Sequence, residues 1–145
     1  MIDFKRLNVA DLLPHSGEMV LLDRIIEADE TSLIAELQVR DDGLFGNDKT
    51  VPAWVGIEYM AQSVAAYAGL MATQQGEPIK LGFLLGTRRY HSNVSTFAVG
   101  TRLTVRVEKI IQDESLGMFS CHLYGEGINV QANLSTYQPP NGNPQ

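Results

Sequence analysis

Pro52-Ala53-Trp54-Val55-Gly56-Ile57-Glu58-Tyr59-Met60-Ala61-Gln62-Ser63-Val64-Ala65-Ala66-Tyr67-Ala68-Gly69-Leu70-Met71-Ala72-Thr73-Gln74 is the stretch on which the fold turns. From about Val55 to Gln74 it reads as one long helix. It is apolar nearly all round, so the rest of the chain must cover it on most sides. Trp54 to Ala72 is long enough to raise the question of a membrane span. Glu58 near its start, Gln62 one turn later and the lack of Lys or Arg at either edge argue against one. A charged group in lipid is costly, and basic flanks normally mark an anchored span. The stretch reads as a buried core helix.

Strands flank it on both sides. Leu33, Ala35, Leu37 and Val39 alternate with Ile34, Glu36, Gln38 and Arg40. Leu103, Val105 and Val107 alternate with Arg102, Thr104, Arg106 and Glu108. Ile128, Val130, Ala132 and Leu134 alternate with Asn129, Gln131, Asn133 and Ser135. Each pattern predicts a strand with one wet face, which favours antiparallel pairing. Met19–Ile26, Phe83–Arg89 and Met118–Tyr124 read as strands with poorer alternation, Asp41 to Val51 as a polar loop, and the residues before Pro14 as a short turn. Two strands, one helix and four strands are solved most simply by an α+β architecture, an antiparallel sheet wrapped around one long central helix. Ala61, Ala65, Ala68 and Gly69 would let the sheet approach closely. Such a sheet keeps bare edges, and edge-to-edge pairing with a second copy or another subunit would cover them.

The whole sequence has 145 residues, 44% hydrophobic and 19% charged, with a net charge of −6. These are globular values, and an acidic protein has no general attraction to nucleic acid or anionic membrane. The single cysteine, Cys121, excludes an intrachain disulfide and a cysteine zinc cluster. The start, from Met1 to His15, lacks the apolar core of a signal peptide, so a cytoplasmic location is expected. The tail, residues 139–145, is turn chemistry without apolar anchors and is expected to be flexible.

Glu58 sits in the first turn of the helix. It reads as a bland cap that balances the helix dipole, or as a general acid. The helix N-terminus favours a charged carboxylate by about 0.3–1 kcal/mol. Full burial raises a carboxyl pKa by about 3–5 units, so burial decides between the two readings. Backbone N–H groups around Ala53 to Gly56, chiefly Ala53 or Trp54, are the donors that would stabilise an enolate or oxyanion. His15 lies in the loop Leu12-Leu13-Pro14-His15-Ser16-Gly17 and is either solvated or a base near neutrality. His122 falls on the Ser120/Tyr124 side of its strand and should face solvent. Three histidines without carboxylates at ligand spacing predict no metal site. Asp23 and Arg24 read as an ordinary ion pair with a neighbouring strand. Arg88, Arg89, Arg102 and Arg106 are solvated strand faces or a local basic patch for a phosphate-bearing partner.

Two motifs coincide with a known family. Leu13-Pro14-His15 followed by Leu21-Leu22-Asp23-Arg24 resembles the LPH…LLVDR opening of the β-hydroxyacyl-acyl-carrier-protein dehydratases. Pro52 to Gln62 resembles their PGVLIVEAMAQ helix start, with the Pro-to-Glu spacing kept. Phe83-Leu84-Leu85-Gly86 and Val99-Gly100 resemble their later FVG and PGD landmarks. The nearer similarity is to the divergent aryl-polyene and polyketide-type branch, and it spans roughly residues 7 to 137. The resemblance implies one hot-dog domain over 1–138, and a homodimer, or a heterodimer with another hot-dog subunit, with sites at the interface. It implies no cofactor and a thioester substrate on acyl carrier protein or coenzyme A, which loses water to give the trans-2-enoyl thioester. It implies Glu58 as the catalytic carboxyl and the Ala53 backbone amide as the oxyanion donor. The family's catalytic histidine sits in a GHFP motif. Here Asn47 stands in its place, within Phe45-Gly46-Asn47-Asp48-Lys49. Asparagine cannot act as a base. The role falls to His15, or to Asp48, or the chain is a non-catalytic acyl-binding partner. A hot-dog thioesterase uses the same scaffold and stays open as well. Arg88 and Arg89 are the candidates for carrier-protein docking.

Overall fold

In the computed structural model, which describes residues 8–12, 20–41, 49–76, 83–113 and 115–137, the long helix is α1 (Gly56–Gln74). It is entered through a 3₁₀ turn at Ala53–Val55, and the extended backbone of Pro52 (φ −63°, ψ 145°) leads into that turn. Among the described residues the strands are β1 (Arg24–Ala28), β2 (Ser32–Gln38), β3 (Thr50–Pro52), β4 (Phe83–Ser92), β5 (Thr96–Ala98), β6 (Arg102–Asp113), β7 (Leu116–Gly125) and β8 (Ile128–Tyr137). Six of them form one sheet in the order β1-β2-β6-β7-β8-β4, antiparallel throughout, while β3 and β5 pair separately. This is the α+β arrangement expected from the element order, an antiparallel sheet around one long helix, and the hot-dog fold that the resemblance implies.

Register explains the core. Leu33, Ala35 and Leu37 lie opposite Val107, Val105 and Leu103. Val105 and Val107 then face Leu123 and Cys121, which face Val130 and Ala132. All of these side chains are buried, and together they form one surface against Met60, Val64, Ala66 and Leu70 of α1. A buried leucine such as Leu123 contributes about 1.5–3 kcal/mol by leaving water. The opposite face of the sheet carries Arg102, Thr104, Arg106, Ser120 and Gln131 toward solvent.

The small residues of α1 act differently from expectation. Ala61, Ala65 and Ala68 are only half-buried. Gly69 meets the chain start rather than the sheet: a Cβ there would lie 2.3 Å from the Leu12 carbonyl oxygen. Leu12 closes the 3₁₀ turn Val9–Leu12, which is the short turn expected before Pro14. The helix ends where Gln75 and Gly76 turn their N–H groups back to the carbonyls of residues 71–73, with Gly76 at φ 72°. Tyr67 donates its hydroxyl to the Glu30 carbonyl in the β1–β2 turn.

Several boundaries depart from the periodicity. Asp23 places a carboxylate oxygen 2.6 Å from the Gln38 N–H, so a side chain replaces the ladder carbonyl and β1 begins only at Arg24. The strand read at Met19–Ile26 is therefore shorter over the described residues. β6 runs on to Asp113 past an irregularity between Lys109 and Ile111. β4 reaches Ser92 past another between Arg88 and His91, where Arg89 takes φ 56°. β3 begins inside the stretch read as a loop, because three residues are too few to show a period. Among the described residues no helix is long and apolar enough to cross a membrane.

Candidate active site

Glu58 sits in the first turn of α1 and is half-buried, so the complete burial required by the desolvation argument is not reached within this one chain. Its Oε1 accepts a hydrogen bond from Gln62 Nε2 at 3.1 Å, one helical turn on. Gln62 is fully buried (0% exposed). Its Oε1 accepts the Leu21 N–H at 2.8 Å. That acceptor role fixes the amide's orientation, because the oxygen must face Leu21 and the NH₂ must face Glu58. One side chain thus joins the carboxylate on α1 to the strand-entry segment before β1. The sequence marks Gln62 only as a polar residue in an apolar helix; its pairing with Leu21 emerges from packing.

The helix start is held from two sides. The Ala53 N–H donates to the Ser95 carbonyl at 2.9 Å, continuing the β3–β5 pairing. That donor is engaged within this chain. The Ala53 carbonyl accepts the Tyr90 hydroxyl, brought in from β4. Burial pushes the Tyr90 pKa up to about 12, which keeps the hydroxyl protonated as a donor. Trp54 follows on the turn with its residue surface 50% exposed.

His15, Asp48 and Asn47 lie outside the described residues, as does the tail 139–145. The residues that bracket the His15 segment are described, and both meet α1: Leu12 against Gly69 and Leu21 at Gln62.

The arginines divide into two groups. Arg102 and Arg24 both pair with Glu36, at 2.6 and 2.8 Å, and Arg106 pairs with Glu108 at 3.3 Å. Arg24 therefore makes the expected cross-strand ion pair, whereas Asp23 serves the Gln38 backbone. Arg88 and Arg89 are exposed on β4, three strands from β6, or about 14 Å at ordinary strand spacing. The four arginines do not form one patch. His122 is half-buried on the outer face, 2.7 Å from Asn129 Oδ1, with its ring centroid 4.8 Å from that of Tyr124. His91 is exposed on β4. Among the described residues no three His, Cys, Asp or Glu side chains gather to hold a metal ion.

A buried helix carrying a carboxylate in its first turn, wrapped by an antiparallel sheet, defines the hot-dog class. Residues 7–145 match the ApeP-like family, described as ApeP dehydratase, and the chain belongs to that family. The dehydratase heterocomplex ApeI:P from Xenorhabdus doucetiae is similar in structure, with TM-score 0.85 and 32% identity over 92% of this chain and 91% of that one. A hypothetical thioesterase with coenzyme A from Streptococcus pneumoniae TIGR4 shares the fold at TM-score 0.60 and 9% identity, over 79% of this chain and 84% of that one. The E. coli PaaI protein from the phenylacetic acid degradation operon shares it at TM-score 0.59 and 11% identity, over 78% and 80%. None of the curated proteins matches the chain.

Proposed function

We propose that this dehydratase-family chain removes water from a 3-hydroxyacyl thioester borne by acyl carrier protein and yields the trans-2-enoyl thioester. The observation that carries the reading is Glu58, held by buried Gln62 in the first turn of α1 within a chain that matches the ApeP-like family over residues 7–145. A base takes the proton from the carbon beside the thioester carbonyl. The developing enolate oxygen accepts a backbone N–H at the helix start, at Ala53 or Trp54. The enolate then reforms the carbonyl and expels the 3-hydroxyl, which leaves as water with a proton from Glu58.

His15 is the proposed base, with Asp48 as the alternative. The Leu21 contact with Gln62, which itself holds Glu58, supports His15, since that end of its segment meets α1 one turn from the carboxylate. A second hot-dog subunit is the proposed partner. The relative from Xenorhabdus is a heterocomplex, and β4 ends the six-stranded sheet as an edge. Arg88 and Arg89 on that strand are the proposed contact for the acidic or phosphate-bearing carrier.

A second reading is a non-catalytic partner subunit, favoured by Asn47 at the family's histidine position. The test uses the full chain, alone and with the partner subunit of the Xenorhabdus complex, on a 3-hydroxyacyl carrier-protein thioester. Enoyl product without free thiol supports dehydration, and free thiol indicates a thioesterase. Binding without turnover in either setting indicates the partner role. Glu58→Gln should abolish enoyl formation, and His15→Ala should lower it at least about 100-fold. Unchanged turnover in either variant removes that residue from the mechanism.

A further inference from the structure

The peptide unit between Val20 and Leu21 is gripped at both ends. Its N–H donates to Gln62 Oε1 at 2.8 Å, toward α1. Its carbonyl accepts Nη2 of exposed Arg40 at 2.7 Å. In a trans peptide these two groups point in opposite directions, so the two side chains hold the unit from opposite sides. The strand ladder does not fix this peptide, because β1 begins only at Arg24. Arg40 is itself well seated. The preceding residue, Val39, is buried, and its N–H and C=O are both tied to the Gly100–Thr101 turn at 2.8 Å. Among the described residues no carboxylate pairs with Arg40.

From Arg40 the hydrogen bonds run in one direction. Arg40 donates to the Val20 carbonyl, the Leu21 N–H to Gln62 Oε1, and Gln62 Nε2 to Glu58 Oε1 at 3.1 Å. A cation and a carboxyl group thus stand at the two ends of a chain of two amides, the peptide and the Gln62 side chain. The first bond has a charged donor and is the stronger kind. A hydrogen bond accepted at an amide oxygen polarises the group and strengthens its N–H as a donor, so each bond reinforces the next. We infer that Arg40 is a positioning residue for the reaction: through the Val20–Leu21 peptide and Gln62 it sets the orientation of the Glu58 carboxyl. The inference rests on the dehydratase reading with Glu58 as the acid.

Asp23 separates this role from simple tethering. It holds the same segment by accepting the Gln38 N–H at 2.6 Å, but it lies off the chain of amides. A tether would make Asp23 and Arg40 equivalent. The chain of amides makes Arg40 the one that reaches Glu58.

The test measures kcat, KM and melting temperature of the full chain with the partner subunit of the Xenorhabdus complex. The variants are Arg40→Met, Arg40→Lys, Asp23→Ala, Gln62→Leu and Arg40→Met combined with Gln62→Leu. The Leu21 amide resonance is followed by ¹⁵N–¹H NMR. Arg40→Met should lower kcat about three- to tenfold, the modest size expected of a coupling carried through intervening groups. KM should be nearly unchanged, and the Leu21 amide proton should move upfield. Arg40→Lys keeps a cationic donor and should restore most of both readouts. Asp23→Ala should lower the melting temperature more than Arg40→Met and kcat less. Added to Gln62→Leu, which already cuts the chain, Arg40→Met should cost nothing further, because coupled positions are not additive. A kcat loss without movement of the Leu21 resonance overturns the inference, as does a further loss in the combined variant or a loss confined to KM. Asp23→Ala matching Arg40→Met in kcat and resonance also overturns it, by showing a tether. An inactive wild type sinks the dehydratase reading and this inference with it, whereas an active wild type indifferent to Arg40→Met sinks this inference alone.

Discussion

Gln62→Leu is the most informative single change, because it removes the buried amide while keeping the side chain's bulk. The Leu21 N–H, 2.8 Å from Gln62 Oε1, would lose that acceptor. Leaving the half-buried Leu21 N–H without its partner costs at most about 1–3 kcal/mol, and a hydrogen bond to a charged group contributes about 1.5–3 kcal/mol. The extra apolar surface of leucine returns part of this, at about 0.8 kcal/mol per buried methylene. The net expectation is a loss of about 2–4 kcal/mol. At about 2–4 °C per kcal/mol, the melting temperature should fall by about 5–15 °C. Turnover of the proposed thioester substrate should fall by about 10–100-fold, since Glu58 loses the bond that orients it. Gln62→Glu separates the two effects. It keeps an acceptor for Leu21 but sets a second carboxylate against Glu58. Its turnover should be poor at neutral pH and recover in part as the pH falls, where a protonated carboxyl can donate as the amide did. Thermal melts by circular dichroism and a continuous enoyl assay read both. If Gln62→Leu melts within about 2 °C of wild type and turns over normally, the amide neither supports the segment before β1 nor positions Glu58, and the reasoning fails.

Gly69→Ala should lift the Val9–Leu12 turn, since the new methyl would meet the Leu12 carbonyl at 2.3 Å. The melting temperature should fall despite a gain in helix propensity of about 1 kcal/mol, and a rise would show that the turn is not seated there. Asp29 accepts the Thr31 N–H at 2.9 Å and the Ser32 N–H at 2.8 Å. The Thr31 backbone bond, then the Ser32 hydroxyl and backbone, hold its pKa below the ordinary 3.8. A depressed folded-state pKa gives stability that is present above the unfolded value and lost as pH falls through the folded one. Asp29→Asn should therefore lower the melting temperature at pH 7, and the difference should shrink at acid pH below 3.8; a gap independent of pH would refute this. Charge reversal at Arg88 and Arg89 should weaken turnover of the carrier-bound substrate more than that of a small thioester surrogate. Equal losses on the two substrates would argue against a docking patch.

The parts legible in the sequence are those in which one physical pressure acts alone. β2, β6 and β8 each have one face on the core and one in water, so their alternation is clean. α1 is legible because its apolar run is too long for a strand and too polar at Glu58 and Gln62 for lipid. β3 and β5 are too short to show a pattern. The start of β1 is displaced by a side-chain contact from Asp23 that has no periodic signature. At the site, Glu58 announces itself by its place in the helix's first turn. The Ala53 donor does not announce that it is occupied, because Ser95 is distant in sequence. Tyr90 is hidden for a different reason: the bulge at Arg89 breaks the alternation that would have assigned its face. The apparent basic cluster arises because Arg88 and Arg89 resemble Arg102 and Arg106 in composition but not in position. Strand order, which no local pattern encodes, separates them.

Cys121 has a practical consequence. It is the only cysteine of the 145 residues, and burial drives its pKa up to about 12. At neutral pH its sulfur is a thiol enclosed in the core rather than an accessible nucleophile. The protein therefore offers a blank background for spectroscopic rulers. A cysteine substituted for exposed Glu126, in the β7–β8 turn, would take a paramagnetic tag at one position per copy. Dipolar spectroscopy between two such tags would then measure how far apart the copies stand, or show that the tagged chain sits beside an untagged neighbour of another kind.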